Sequence, residues 1–260
     1  MRSKFFVFGL ATVATALTLH GAAFAAYQQG TQRDDVLIGK DDDAVEDVEI
    51  QPDPNVANQS LNKADTLIGL RGNDVLIGMG GSDTMIGDTG NDIFIGGIER
   101  GQAPNSDIQI GGPGNDIAVW QGGDGSDLFD GGPGWQDALI FATIDKDATT
   151  NIPILTPAKG THGRTGLPTA DATGQGGFCT IEAVANPAAR GFEFLVRFFR
   201  RSDGALLVTV RTRDVEELYC TSEAGGAITY ADLTDANPSF VEVSLDEVKA
   251  INPTVGNIIR

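Results

Sequence analysis

Between residues 65 and 141 the apolar side chains arrive in short groups of three at a fixed interval. Thr66-Leu67-Ile68, Val75-Leu76-Ile77, Thr84-Met85-Ile86 and Ile93-Phe94-Ile95 each follow an aspartate and precede a glycine, and the four aspartates, Asp65, Asp74, Asp83 and Asp92, stand nine residues apart. The series continues, less evenly, through Asp107-Ile-Gln-Ile-Gly, Asp116-Ile-Ala-Val-Trp, Asp127-Leu-Phe-Asp-Gly and Asp137-Ala-Leu-Ile-Phe. A period of nine matches neither the 3.6 of a helix nor the 2 of a strand, so it describes a compound unit. Glycine, asparagine and serine between the groups accept left-handed backbone angles and turn the chain tightly, while the β-branched and apolar triplets suit a very short strand. Each unit therefore predicts six residues of turn and three of strand, and two units make one coil of a parallel solenoid. The middle residues, Leu67, Leu76, Met85, Phe94, Gln109, Ala118, Phe129 and Leu139, point inward.

The pattern on either side differs. Asp35-Val-Leu-Ile-Gly39 predicts one more strand, and the acidic stretch after it, within 26–63, leads into the roll; it lacks the glycine at the sixth position that an EF-hand loop needs. Residues 142–177, rich in Thr, Gly, Pro and Ala, read as a linker. Beyond it, Phe192 to Phe199 and Ala205 to Thr212 flank Arg-Arg-Ser-Asp-Gly204, a hairpin signal, and Ser244-Leu-Asp-Glu247 is a capping box for a short helix ending before Pro253. The fold expected is all-β: a parallel β-roll (β-solenoid) of nine-residue repeats over 64–141, then a small β-rich C-terminal domain with one short helix over 178–260.

The spacing of the aspartates raises an electrostatic problem. Successive units lie on opposite sides of a coil, so Asp65 stacks on Asp83 and Asp74 on Asp92, and further along Asp107 on Asp127 and Asp116 on Asp137. Coils are about 4.8 Å apart, as strands in any sheet are. Two carboxylates at that separation repel by roughly 3 kcal/mol at an effective dielectric of 20. Calcium, which binds hard oxygens at about 2.3–2.6 Å, can bridge such a pair and complete its shell with turn carbonyls. The competing reading is that the aspartates only cap turns through their own backbone; turn chemistry alone would tolerate Asn or Ser there, yet all eight units keep aspartate.

Gly111-Gly112-Pro113-Gly114-Asn115-Asp116-Ile117-Ala118-Val119 resembles the nonapeptide G-G-x-G-x-D-x-U-x of haemolysin-type (RTX, repeats-in-toxin) calcium-binding proteins. The resemblance covers Ala64 to Phe141. It implies several calcium ions held between turns of neighbouring coils by Asp65, Asp74, Asp83, Asp92, Asp107, Asp116, Asp127 and Asp137, with the turn residues Gly72, Asn73, Gly81, Gly90, Asn91, Gly112, Gly114, Asn115, Gly123 and Gly125 beside them. This sequence departs from the pattern where the second glycine becomes Leu70, Met79 and Asp88, where six residues are inserted within Ile98 to Pro104, where Trp120-Gln121 adds two, and where Trp135 or Gln136 adds one.

Composition narrows the function. Residues 1–25 read as a secretory signal peptide: Arg2 and Lys4, an uncharged apolar run from Phe5 to Leu19, and Ala23-Phe24-Ala25 at the cleavage site. The expected location is outside the cytoplasm: extracellular, at the cell surface or periplasmic. No transmembrane segment is predicted in the mature chain. Whole-chain net charge is -18, which disfavours nucleic acid as a partner. Cys179 and Cys220 bracket the hairpin and predict a disulfide in an oxidising compartment. The mature chain holds a single histidine, His162, and neither H-E-x-x-H nor G-x-S-x-G, so zinc and serine-triad chemistry have no residues to work with. Two readings stand: a calcium-binding protein with a structural, adhesive or matrix-associated role, meeting cell-surface or extracellular polysaccharide or protein, or an extracellular polysaccharide-modifying enzyme or accessory module carrying the repeats. Residues flanking the inward positions, such as Val75, Ile77, Ile93, Ile95, Ile108, Ile110, Ile117 and Val119, are also apolar. A roll built this way needs cover on its outside, from the C-terminal half or from a second copy.

Overall fold

A computed structural model describes residues 27–39, 65–97, 106–156 and 165–260. The signal peptide, the acidic stretch after Lys40, the insertion within Ile98 to Pro104 and His162 lie outside the described residues. Ten strands make the roll: β1 (Tyr27–Gln29), β2 (Val36–Ile38), β3 (Thr66–Arg71), β4 (Val75–Met79), β5 (Thr84–Thr89), β6 (Ile93–Gly97), β7 (Ile108–Ile110), β8 (Ile117–Trp120), β9 (Leu128–Asp130) and β10 (Ala138–Phe141). Odd-numbered strands pair in parallel to form one sheet and even-numbered strands form the other. Two units thus complete one coil, and the strand predicted at Val36 takes its place beside β4, with Leu37 opposite Leu76.

The register keeps like with like. Leu67, Met85, Gln109 and Phe129 are Cα partners up one sheet, and Leu76, Phe94, Ala118 and Leu139 up the other. All are buried, and the apolar members form one core between the sheets. Close stacking dictates where glycine stands in the turns. A Cβ on Gly90, whose φ is +147°, would lie 1.5 Å from the carbonyl oxygen of Gly72 in the coil below. Leu70, Met79 and Asp88, which replace the second glycine of the repeat, nevertheless hold left-handed φ of 82°, 76° and 74°, a conformation costly for side-chain-bearing residues and imposed here by the parallel stack.

Both sheets run on past the roll. β15 (Gly177–Ala183), β16 (Phe194–Arg200) and β17 (Leu206–Arg213) form an antiparallel set whose β17 pairs in parallel with β9; β18 (Glu217–Thr221), β19 (Ile228–Asp232) and β20 (Val241–Val243) do the same through β18 on β10. The expected hairpin is β16–β17, with a bulge between Phe198 and Phe199. Among the described residues each sheet therefore has eight strands. Cys179 in β15 and Cys220 in β18 are joined across the two sheets, with Cα atoms 6.2 Å apart, closing a long loop of the kind whose cross-linking typically contributes about 2–4 kcal/mol.

The segment expected as a linker carries β11 (Thr143–Ile144), β12 (Leu155–Thr156), β13 (Leu167–Pro168) and β14 (Ala170–Asp171), paired antiparallel as β11–β14 and β12–β13. Among the described residues three short helices follow the roll where one was expected: α1 (Pro187–Arg190), α2 (Leu245–Ile251) and α3 (Pro253–Ile258). Ser244 and Glu247 form the predicted capping box on α2. Pro253 begins a helix instead of merely ending one, because proline fits the first helical position and the Asn252 side chain accepts from the amides of Thr254 and Val255. Val248, Val255, Ile258 and Ile259 join Ile144, Leu167, Ala170 and Ala172 in a second core, laid over Val75, Ile77, Ile93, Ile95, Ile117, Val119 and Ile140. Thus the outer face of the even-numbered sheet is covered by the chain's own second half.

Candidate metal centre

Turns before the strands carry the aspartates, and the parallel register stacks them in two columns, one along each edge of the roll. In one column Asp65, Asp83, Asp107 and Asp127 follow each other; in the other, Asp74, Asp92, Asp116 and Asp137. Each link is the same: the backbone N–H of one aspartate donates to Oδ1 of the aspartate one coil on, at 2.7 Å for Asp65 to Asp83, 2.8 Å for Asp74 to Asp92, 2.9 Å for Asp107 to Asp127 and 2.6 Å for Asp116 to Asp137. From Asp74 to Asp137 the carboxylates thus serve the neighbouring coil's backbone, and the own-turn capping reading does not describe that ladder.

Two members of the second column were not anticipated. Asp35 precedes Asp74, its N–H donating to Asp74 Oδ1 at 2.6 Å, and Glu216 follows Asp137, accepting its N–H at 2.8 Å. Asp35 shares the Asp-Val-Leu-Ile-Gly signature and was legible; Glu216 stands in a segment without the repeat, and only the strand pairing of β18 with β10 brings it there.

All eight repeat aspartates are buried, none more than 2% exposed. From Asp74 to Asp137 one oxygen of each carboxylate is committed to the ladder, and the other, Oδ2 of Asp74, Asp92, Asp107, Asp116 and Asp137, has no hydrogen-bond partner. Those atoms sit in cradles that only glycine leaves open: a Cβ on Gly69 would lie 2.3 Å from Asp74 Oδ2, on Gly87 2.1 Å from Asp92 Oδ2, and on Gly111 2.2 Å from Asp116 Oδ2. Desolvation is the first cause that lifts the pKa values. It pushes Asp74 up to about 6, Asp92 and Asp137 to about 7 and Asp116 to about 9, against the partial relief of the ladder hydrogen bond and with added repulsion from other acids. Asp127, also lifted by burial, reaches about 6, and the Arg211 guanidinium helps hold it down.

A buried anionic oxygen without a partner is expensive. It is satisfied by a proton or by a cation, and an all-oxygen donor set of carboxylates and backbone carbonyls suits a hard ion such as calcium. The residues present therefore fit calcium. The side chains of the Asn residues expected beside the metal form a ladder of their own: Asn73 Oδ1 accepts from Asn91 N–H, and Asn91 Oδ1 from Asn115 N–H, each at 2.9 Å, parallel to the aspartates. Gly72, Gly81, Gly90, Gly112 and Gly123 hold positive φ in the turns. Gly114 packs on the Gly90 carbonyl, where a Cβ would come within 1.6 Å, and Gly125 accepts the Trp120 indole N–H at 3.0 Å.

Residues 61–94 match the RTX calcium-binding nonapeptide repeat (4 copies). These residues are RTX repeats. Among curated proteins none matches the chain. RTX repeats bind calcium, and the aspartate columns run on in the same register beyond the matched residues, through Asp107, Asp116, Asp127 and Asp137.

Proposed function

We propose that this chain is an exported calcium-binding protein whose RTX roll takes several calcium ions between its coils and serves a structural, adhesive or matrix-associated role. The observation that carries the reading is the row of buried Oδ2 atoms without partners, each against a glycine cradle, in both columns. Asp65, Asp74, Asp83, Asp92, Asp107, Asp116, Asp127 and Asp137 would supply carboxylate oxygens and the glycine-rich turns would supply carbonyls. Calcium there would replace carboxylate repulsion with attraction along each column, so that folding is linked to the millimolar calcium found outside cells. Export is supported by the apolar leader and by the disulfide between β15 and β18, which fits an oxidising compartment. No helix among the described residues is long and apolar enough to cross a membrane. Calorimetric titration of the purified, chelator-treated chain should show several calcium ions bound per chain and thermal stability rising with occupancy. A melting temperature that stays put from chelator to millimolar calcium defeats the reading.

A further inference from the structure

In most turns of the roll the third residue faces water: Arg71, Thr89, Pro113 and Pro133 are all exposed. Asp124 holds that position in the turn before β9, yet it is only 3% exposed. The two residues added at Trp120-Gln121 account for the difference. Asp124 N–H donates to the Gln121 carbonyl at 3.0 Å, the Gln121 amide donates to the Gly97 carbonyl at 3.1 Å, and the Trp120 indole donates to the Gly125 carbonyl at 3.0 Å. Pinned at three points, the longer turn folds back and directs its acid into the roll. A Cβ on Gly96 would meet Asp124 Oδ1 at 2.3 Å and Asp107 Oδ2 at 2.4 Å, so the two carboxylates converge on one glycine. Carboxylate oxygens of Asp107, Asp124 and Asp127 all lie within 4.8 Å of one another. Asp107 is fully buried, its Oδ1 taken by the amide of Asp83 and its Oδ2 aimed into this cluster without a hydrogen-bond partner.

We propose that Asp107, Asp124 and Asp127 form a three-carboxylate cation site, the first that calcium fills and one that also accepts trivalent lanthanides. The inference rests on the calcium-binding reading above but adds a ligand, Asp124, that the paired-aspartate arrangement does not contain. Affinity in oxygen-ligand sites rises with carboxylate count, and ions with bonds of about 2.4 Å span oxygens up to about 4.8 Å apart, whereas magnesium at about 2.1 Å does not. Arg211, beside Asp127, offsets part of the surplus negative charge.

Terbium is the probe, with Trp120 as its antenna, because the indole is bonded to the residue following Asp124. Trp135, 88% exposed, is first changed to Phe so that Trp120 is the sole tryptophan. In that otherwise intact chain, tryptophan-sensitised terbium emission should rise in an early phase that calcium displaces and magnesium does not. Asp124→Asn, close in shape and less charged, should weaken that phase by about tenfold or more and remove one tight ion from the calcium count while the remaining ions still bind. An unchanged midpoint and count in Asp124→Asn, or equal displacement by magnesium, overturns the three-carboxylate site and leaves the paired sites standing. A chain that binds neither calcium nor terbium overturns both readings together. Should the variant fold poorly, the magnesium competition on the unmutated acid cluster still decides.

Discussion

The two sheets of the roll are built from the same repeat but end in different surroundings. Strands β4, β6, β8 and β10 are buried at every position, inside and out, whereas β3, β5 and β7 alternate buried with half-exposed or exposed residues. The even sheet carries Val75, Ile77, Ile93, Ile95, Ile117 and Val119 on its outer face; the odd sheet has Thr66 and Thr84 among its isoleucines, and Ile108 is 41% exposed. The difference follows from what lies on top. Ala142, Ile144, Leu167, Ala170 and Ala172, with helices α2 and α3, cover the even sheet, and the same triplet pattern thereby becomes a strand buried on both faces. Ladder pairing gives both sheets their register; only the covered one adds a second hydrophobic core to it.

The columns along the two edges differ as well. Both are rows of buried acids, but the odd-sheet column ends beside a base: the Arg211 guanidinium donates to the Ser126 carbonyl at 3.2 Å and lowers the pKa of Asp127 against the effect of burial. Next to it Arg213 grips Asp130 with two hydrogen bonds across the β9–β17 seam. The even-sheet column ends on another acid, Glu216. Where the roll meets the second half, then, one seam is closed by opposite charges, and at the other Glu216 and Asp214 both raise the pKa of Asp137 and Asp214 raises that of Glu216.

Equal substitutions on the two outer faces give the largest contrast. Ile95 is wholly buried between its sheet and the cover, so Ile95→Ala should cost about 3 kcal/mol, within the range for large-to-small core changes. Ile108→Ala, at a position 41% exposed, should cost about 1 kcal/mol or less. Denaturant midpoints of the two variants, measured in saturating calcium, check the claim. Comparable losses would mean that the second core adds little, and that the covering segments merely lie against the roll.

The pH dependence comes next and distinguishes the metal-free from the loaded roll. Asp74, Asp92, Asp116, Asp127 and Asp137 have folded pKa values above the ordinary carboxylate value of 3.8. A group whose folded pKa is raised keeps its proton in the folded chain after the unfolded chain has lost it, so its contribution is fully present at low pH and disappears as pH rises through the folded value. In chelator the melting temperature should therefore fall between about pH 4 and pH 9, with successive losses near 6, 7 and 9. Calcium needs the ionised oxygens and releases protons on binding, so its stabilising effect should grow over the same range. A metal-free melting temperature that climbs with pH would show that the carboxylates are not buried as described.

Much of this was legible in the sequence because each unit of the repeat makes a local demand that agrees with its neighbours. The stacking partners and the inward residues follow from spacing and turn chemistry, and the pairing of Cys179 with Cys220 from their being the two cysteines of a chain with an export signal. The cover was harder to see. Residues 142–177 have the composition of a linker, yet Ile144, Leu167, Ala170 and Ala172 are buried, and their apolar side chains are too widely spaced for a periodic signal. Asp124 carries no signal of its own, since nothing in Gly-Gly-Asp-Gly-Ser-Asp distinguishes a third position that faces water from one that faces inward; its burial comes from the two residues inserted ahead of it. Glu216 entered the aspartate column through strand pairing alone, a long-range consequence that no local pattern encodes.

The smallest expected effect tests the acidic seam directly. Glu216 Oε2 accepts the Asp137 amide at 2.8 Å while its charge raises the Asp137 pKa. Glu216→Gln keeps an oxygen for that amide and removes the charge, so the hydrogen bond survives and the repulsion does not. In chelator above pH 7 the variant should be more stable than the parent by about 0.5–1 kcal/mol, the scale of a single partly screened charge interaction. Below about pH 5, where Asp137 is protonated, the gain should vanish. The opposite edge supplies the control: Arg211→Gln removes the base beside Asp127 and should lower metal-free stability at neutral pH. If both variants shift stability in the same direction, the seams are not electrostatic opposites, and the difference between the two edges must be sought in packing.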